Sequence, residues 1–181
     1  MSGAQVTDRK CGDCGLCCKV WDYSIFNKPA GVWCQHYAAF KGCTIYESRP
    51  LPCRAFRCTW LLNGEFGEEW RPDRAGFFMW SQAVPTGSRL VVEVDADRPS
   101  SWRREPYLTA LRAIARRSED RHVEVFVRVG KRFQMLFPEG MVDLGDYRPL
   151  AIESGYRQTP AGMTPFARYV EHNGEAIVGT E

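Results

Sequence analysis

Apolar and polar positions alternate most cleanly where Val123, Val125, Val127 and Val129 are separated by Glu124, Phe126 and Arg128, the period-two pattern of a strand with one buried face. Gly130-Lys131 turns the chain into a second arm, Arg132 to Phe137, which ends at Pro138. Upstream, the apolar run Phe77 to Val84 meets turn chemistry at Pro85-Thr86-Gly87-Ser88. Leu90, Val92 and Val94 then alternate with Val91, Glu93 and Asp95, so this stretch predicts a hairpin. A helix is expected next. Ser100 or Ser101 offers a cap and Pro106 suits an early turn, while Leu108, Leu111, Ile114 and Ala115 recur at helical spacing against Arg104, Arg112, Arg116 and Arg117. The predicted order after residue 76 is β-β-α-β-β, an α+β layer in which one helix covers a small antiparallel sheet.

The flanks lack such periodicity. Glycines and prolines punctuate residues 11–58, so turns and short helices are expected there, with Trp33 to Phe40 and Cys53 to Leu62 each reading as a short helix or turn. Residues 65–75 read as a connector. After Asp143 the chain is rich in Gly, Pro and Thr, and Phe166 to Val170 alone suggests helix. The expected organisation is a cysteine-rich module over 1–75, the sheet-and-helix layer over 76–150, and an extended tail over 151–181. Tyr147, Tyr156, Met163, Phe166 and Tyr169 would anchor that tail to the body.

Composition narrows the function classes. A chain of 181 residues with 44% hydrophobic content can bury a sizeable core. A net charge of +2 gives no ground for a nucleic-acid or membrane-surface partner. Residues 1–10 lack the apolar core of a secretory signal and no run approaches a membrane span, so the expectation is a soluble, cytoplasmic protein.

The chemistry is concentrated in eight cysteines: Cys11, Cys14, Cys17, Cys18, Cys34, Cys43, Cys53 and Cys58. In a reducing compartment such a set reads as metal ligands rather than disulfides, which stand as the alternative. Eight thiols divide into two sets of four, the number needed by a closed tetrahedral zinc site or a cubane iron–sulfur cluster. Adjacent side chains diverge, so Cys17 and Cys18 suit two metals, or opposite sides of one polynuclear cluster, better than one ion. Cys11, Cys14 and Cys17 also match the Cys-x2-Cys-x2-Cys part of bacterial ferredoxin ligation, although no Cys-Pro follows three residues later. Zinc is the first reading, with thiolate-bound iron or a [4Fe-4S] cluster as the alternative. Gly12 and Gly15 suit a tight loop that turns N–H groups toward sulfur. Lys10, Lys19, Arg54 and Arg57 lie close enough in sequence to offset thiolate charge.

Two segments carry a resemblance. Cys11 to Cys18 fits a CxxCxxCC signature, and Cys43-Thr44-Ile45-Tyr46-Glu47-Ser48-Arg49-Pro50-Leu51-Pro52-Cys53-Arg54-Ala55-Phe56 resembles C-x-I-Y-x-x-R-P-x-x-C-R-x-F. In both, in this order, residues 11–60 resemble the YkgJ-type cysteine-cluster proteins, a family described as a zinc- or iron-chelating domain. The resemblance implies that all eight cysteines belong to the metal site, without deciding which metal. Some relatives carry the domain within flagellin lysine N-methylases. This chain has no Gly-rich strand-to-helix loop for a nucleotide-like methyl donor. Arg49 and Arg54 in this segment could donate to sulfur or loop carbonyls.

Other candidates are weaker. His36 follows Cys34 by two residues and could replace a thiolate or pair with that cysteine as a nucleophile, but a polar packing role is the simpler reading. His122 and His172 have no visible partner, Asp13 and Asp22 read as turn-formers, and six dispersed tryptophans suit core packing. No catalytic residue is nominated. The expected function is a metal-binding protein whose zinc, or iron, is mainly structural. The alternatives are an iron–sulfur redox or methyl-transfer-related enzyme, and a metal-delivery or adaptor protein with a protein partner.

Overall fold

A computed structural model describes residues 7–84, 87–116 and 123–171. Part of the turn at Pro85-Thr86, Arg117, His122, His172 and the rest of the tail lie outside the described residues.

Residues 7–75 are irregular, as their glycines and prolines predict. They hold a five-residue helix α1 (Leu16–Val20), a two-residue hairpin of β1 (Tyr37–Ala38) and β2 (Gly42–Cys43), and the short helices α2 (Leu51–Ala55), α3 (Thr59–Leu62) and α4 (Pro72–Ala75). Of the two forms expected for Trp33 to Phe40, the turn is the one found, and no helix forms there. The end of this stretch enters the hairpin, where Tyr37 pairs with Cys43. Helices this short are marginal on propensity alone, so their order rests on tertiary contacts.

From residue 77 the chain builds a five-stranded sheet in the order β3 (Phe77–Val84), β4 (Gly87–Val94), β5 (Val123–Val129), β6 (Arg132–Leu136) and β7 (Met141–Asp146). The expectation of an antiparallel sheet is corrected at its centre. Strands β4 and β5 run parallel, with Val92 opposite Val127 and Glu93 opposite Arg128. The reason is topological: the segment between them contains helix α5 (Tyr107–Arg116), and a helical crossover returns the chain in its starting direction. Strand β7 goes beyond the predicted β-β-α-β-β order and adds a fifth strand at the end of the 76–150 layer.

The sheet is buried on both faces. On one, Phe77, Met79, Val92, Val94, Val125 and Val127 pack with Leu111 and Ala115 of α5, together with Trp60, Leu61 and Trp70. Tyr107, Leu111 and Ala115, spaced by four residues, are the buried positions of the helix. Before it, Ser101–Arg103 form a separate 3-10 turn, so neither Ser100 nor Ser101 caps α5 itself. On the other face Val91, Phe126, Phe133, Met135 and Phe137 pack beneath Ile152, Ala167 and Tyr169. Those last residues belong to a hairpin of β8 (Ala151–Thr159) and β9 (Gly162–Val170), paired from Ala151–Val170 to Thr159–Gly162. Residues 151–170 are thus strand rather than extended tail, and Phe166 to Val170 is not helix. This cover explains why Phe126, placed by alternation on the polar face, is fully buried.

The cysteine module closes over the β3 edge of this sheet. Trp21, just past α1, lies edge-on to Phe78 and Trp80 of β3, with ring centroids 5.2 and 5.9 Å away, and 4.3 Å from Phe56. Lys19 of α1 reaches the loop after β4, donating to Asp95 at 2.7 Å and Asp97 at 2.6 Å. Glu93, buried on β4, accepts from the Trp80 indole at 3.3 Å and stands 3.6 Å from the Arg128 guanidinium.

Candidate metal centre

All eight cysteines line one cavity of about 880 Å3, open space at its mouth included. None is paired in a disulfide. The chain converges them by short local devices. In the first loop Cys14 N–H donates to the Cys11 carbonyl at 3.0 Å, and α1 then presents Cys17 and Cys18. The next loop returns to the same place, where Cys34 N–H donates to the Cys18 carbonyl at 3.1 Å and Tyr37 N–H to the Cys34 carbonyl at 2.9 Å. The β1–β2 hairpin then delivers Cys43. It packs so closely on the first loop that a Cβ on Gly42, at φ +77°, would overlap the Gly12 carbonyl oxygen. Gly15 is needed for the same closeness, since a Cβ there would collide with the Tyr37 ring. Helix α2 carries Cys53, and Cys58 opens α3 with its carbonyl accepting from Leu61 N–H at 3.0 Å.

The thiols differ in environment. Burial pushes Cys14 up to about 12 and raises Cys43, Cys53 and Cys58. The neighbouring Cys18 thiol, together with burial, raises Cys17, and the same contact lowers Cys18 to about 7, assisted by the charges of Lys28 and Arg49. The module therefore offers one easily ionised thiol among several that hold their protons until something displaces them.

Two cations face these thiols. Lys28 is buried and donates to the carbonyls of Lys19 at 3.0 Å, Pro29 at 2.8 Å and Trp21, with no carboxylate within ion-pair reach among the described residues. A buried ammonium with only neutral acceptors is costly, and burial lowers the Lys28 amine, an effect that negative charge on Cys34, Cys18, Asp22 and Cys17 opposes. Arg49 lies 3.5 Å over the Tyr46 ring and donates from Nε to the Tyr46 carbonyl at 2.7 Å, facing Cys18, Cys43 and Cys53. Sequence proximity nominated other residues for this task. Lys19 is committed to Asp95 and Asp97, whereas Lys10, Arg54 and Arg57 are exposed. Lys28 carried no sequence signal, because it acts through a fold that brings residue 28 back onto α1.

His36 also lines the cavity, beside Phe26 at 4.9 Å, and its ring contacts exposed Gln35. Asp13 is ion-paired to Arg71, which holds its carboxyl below the usual range. Among the described residues, no Asp or Glu lines the cavity. A sulfur-rich set without carboxylates fits zinc or thiolate-bound iron and does not suit magnesium or calcium. Among the described residues, however, no three His, Cys, Asp or Glu side chains are already arranged as they would be around an ion. The cavity presents the donors, and closing them to ligand distance needs side-chain adjustment of the kind that couples binding to folding.

No protein-family model, curated protein or solved structure matches this chain. No helix among the described residues is long and apolar enough to cross a membrane.

Proposed function

We propose that this protein binds metal through its eight cysteines, zinc in the first place and iron as the alternative, and that the metal acts mainly by holding the N-terminal module folded. The observation carrying this reading is the convergence of every cysteine in the chain on one cavity without carboxylates. The segments that resemble YkgJ-type proteins contribute six of those thiols, and Cys34 and Cys58 complete the lining. Bound metal would replace thiol protons and turn its binding energy into folding energy for a loop-rich segment.

The test is elemental analysis with a visible spectrum on anaerobically purified protein, followed by complete chelation. A colourless protein with stoichiometric zinc fits the first form of the reading; broad absorption near ~400 nm with iron and sulfide fits the cluster form. Chelation should abolish the ordered signal of Trp21 and Trp60 and reduce the near-UV circular dichroism. Unchanged tryptophan emission and dichroism after full metal removal would refute a structural role.

A further inference from the structure

The eight cysteines are not equivalent in the fold. Cys58 belongs to the main core, and Cys11, Cys14 and Cys17 are packed against it. Cys18, Cys34, Cys43 and Cys53 are outside that packing, even though Cys34 is itself buried. We infer that the cysteines form two four-thiolate sites, an inner one of Cys11, Cys14, Cys17 and Cys58 against the core and an outer one of Cys18, Cys34, Cys43 and Cys53. This rests on the metal-binding reading above.

Backbone geometry supports the division. The inner loop is closed on itself by Cys14 N–H to the Cys11 carbonyl, whereas Cys34 N–H donates to the Cys18 carbonyl, tying the second cysteine-bearing loop to Cys18 rather than to Cys17. Adjacent positions on α1 point their side chains in different directions, so Cys17 can face the core while Cys18 faces the second loop. Each site would carry a formal charge of about 2− with a divalent ion. Arg49, which lines the cavity, and Lys28, which donates to the Lys19 carbonyl next to Cys18 in the chain, supply positive charge near the cysteines.

The experiment is zinc counting on purified full-length chains carrying paired serine substitutions. Wild type should hold two Zn2+ per chain. Cys43→Ser with Cys53→Ser should retain one, as should Cys14→Ser with Cys58→Ser, because each pair disables one site. Cys53→Ser with Cys58→Ser should retain none. A within-group pair that loses both ions, or a cross-group pair that keeps one, overturns the grouping while leaving the metal-binding reading intact. One ion per wild-type chain also overturns the grouping, and a wild type without metal overturns the reading itself. Should the variants not fold, 113Cd-loaded wild type gives the same answer without mutation. Its 1H–113Cd correlations should connect one cadmium to the Hβ protons of Cys11, Cys14, Cys17 and Cys58 and the other to the remaining four. Any cadmium correlated with both Cys17 and Cys18 overturns the proposal.

Discussion

Replacing Lys19 by methionine removes the charged link between the cysteine module and the sheet. Lys19 is buried, and its Nζ lies 2.7 Å from Asp95 Oδ1 and 2.6 Å from Asp97 Oδ2. The methionine retains most of the apolar stem, so the change is chiefly electrostatic. Asp95, itself buried, keeps only the Asp97 N–H at 3.2 Å and, as a charged partner, Arg98, whose Nε stands 3.5 Å away. Removing one partner of a buried pair costs about 3–5 kcal/mol, and the remaining Arg98 contact favours the lower end, about 3 kcal/mol. With a urea m-value of about 2 kcal/mol/M, the midpoint should fall by roughly 1.5 M. The assay is urea unfolding of the zinc-saturated full chain, followed by tryptophan emission and far-UV dichroism. Asp97 is largely exposed, so Asp97→Asn should leave the midpoint unchanged. Adding Asp95→Asn to Lys19→Met should recover part of the loss by removing the orphaned charge. A fall below ~0.5 M for Lys19→Met, equivalent to about 1 kcal/mol, would refute the buried-link argument.

Gly42→Ala should lower zinc content and destabilise the module, because its φ is +77° and its Cβ would meet the Gly12 carbonyl. Gly31→Ala, at φ +79° with open space around it, should cost only about 1 kcal/mol and leave zinc bound; equal effects in zinc counting and melting would disprove the close-approach account. Leu111→Ala removes a fully buried side chain between helix and sheet and should cost about 3–5 kcal/mol by denaturant titration, whatever the metal content. Stripped of metal, the protein should lose stability as pH rises from 9 toward about 12. The folded state holds the Cys14 proton more tightly than the unfolded thiol does, so that contribution is full below pH 9 and disappears through the raised value. Zinc loading should reverse this trend by replacing the proton; parallel pH profiles of the two forms in tryptophan emission would contradict it.

Much of the core was readable from periodicity because it depends on neighbours in sequence. Leu111 and Ala115 fall one turn apart on a helix, and Val125 and Val127 share one side of a strand, so their burial follows from local geometry. The direction of β5 was not readable in that way. Alternation is identical in parallel and antiparallel strands, and only the return path through α5 sets the pairing of Val92 with Val127. Phe126 shows the same boundary, since its place on the second face is local but its burial depends on the hairpin thirty residues later. The missed hairpin itself has irregular side-chain patterning, with few strictly alternating apolar positions to announce it.

At the candidate site the sequence determined the number of thiols and the adjacency of Cys17 and Cys18, whose side chains diverge along the chain. The tertiary structure decided that all eight line one cavity, that four rest on the core and four do not, and that Lys28 and Arg49 are the cations facing them. The physical reason is range. Thiol chemistry is a property of each residue, whereas convergence and charge balance depend on loops that return to the same point after fifteen to forty intervening positions.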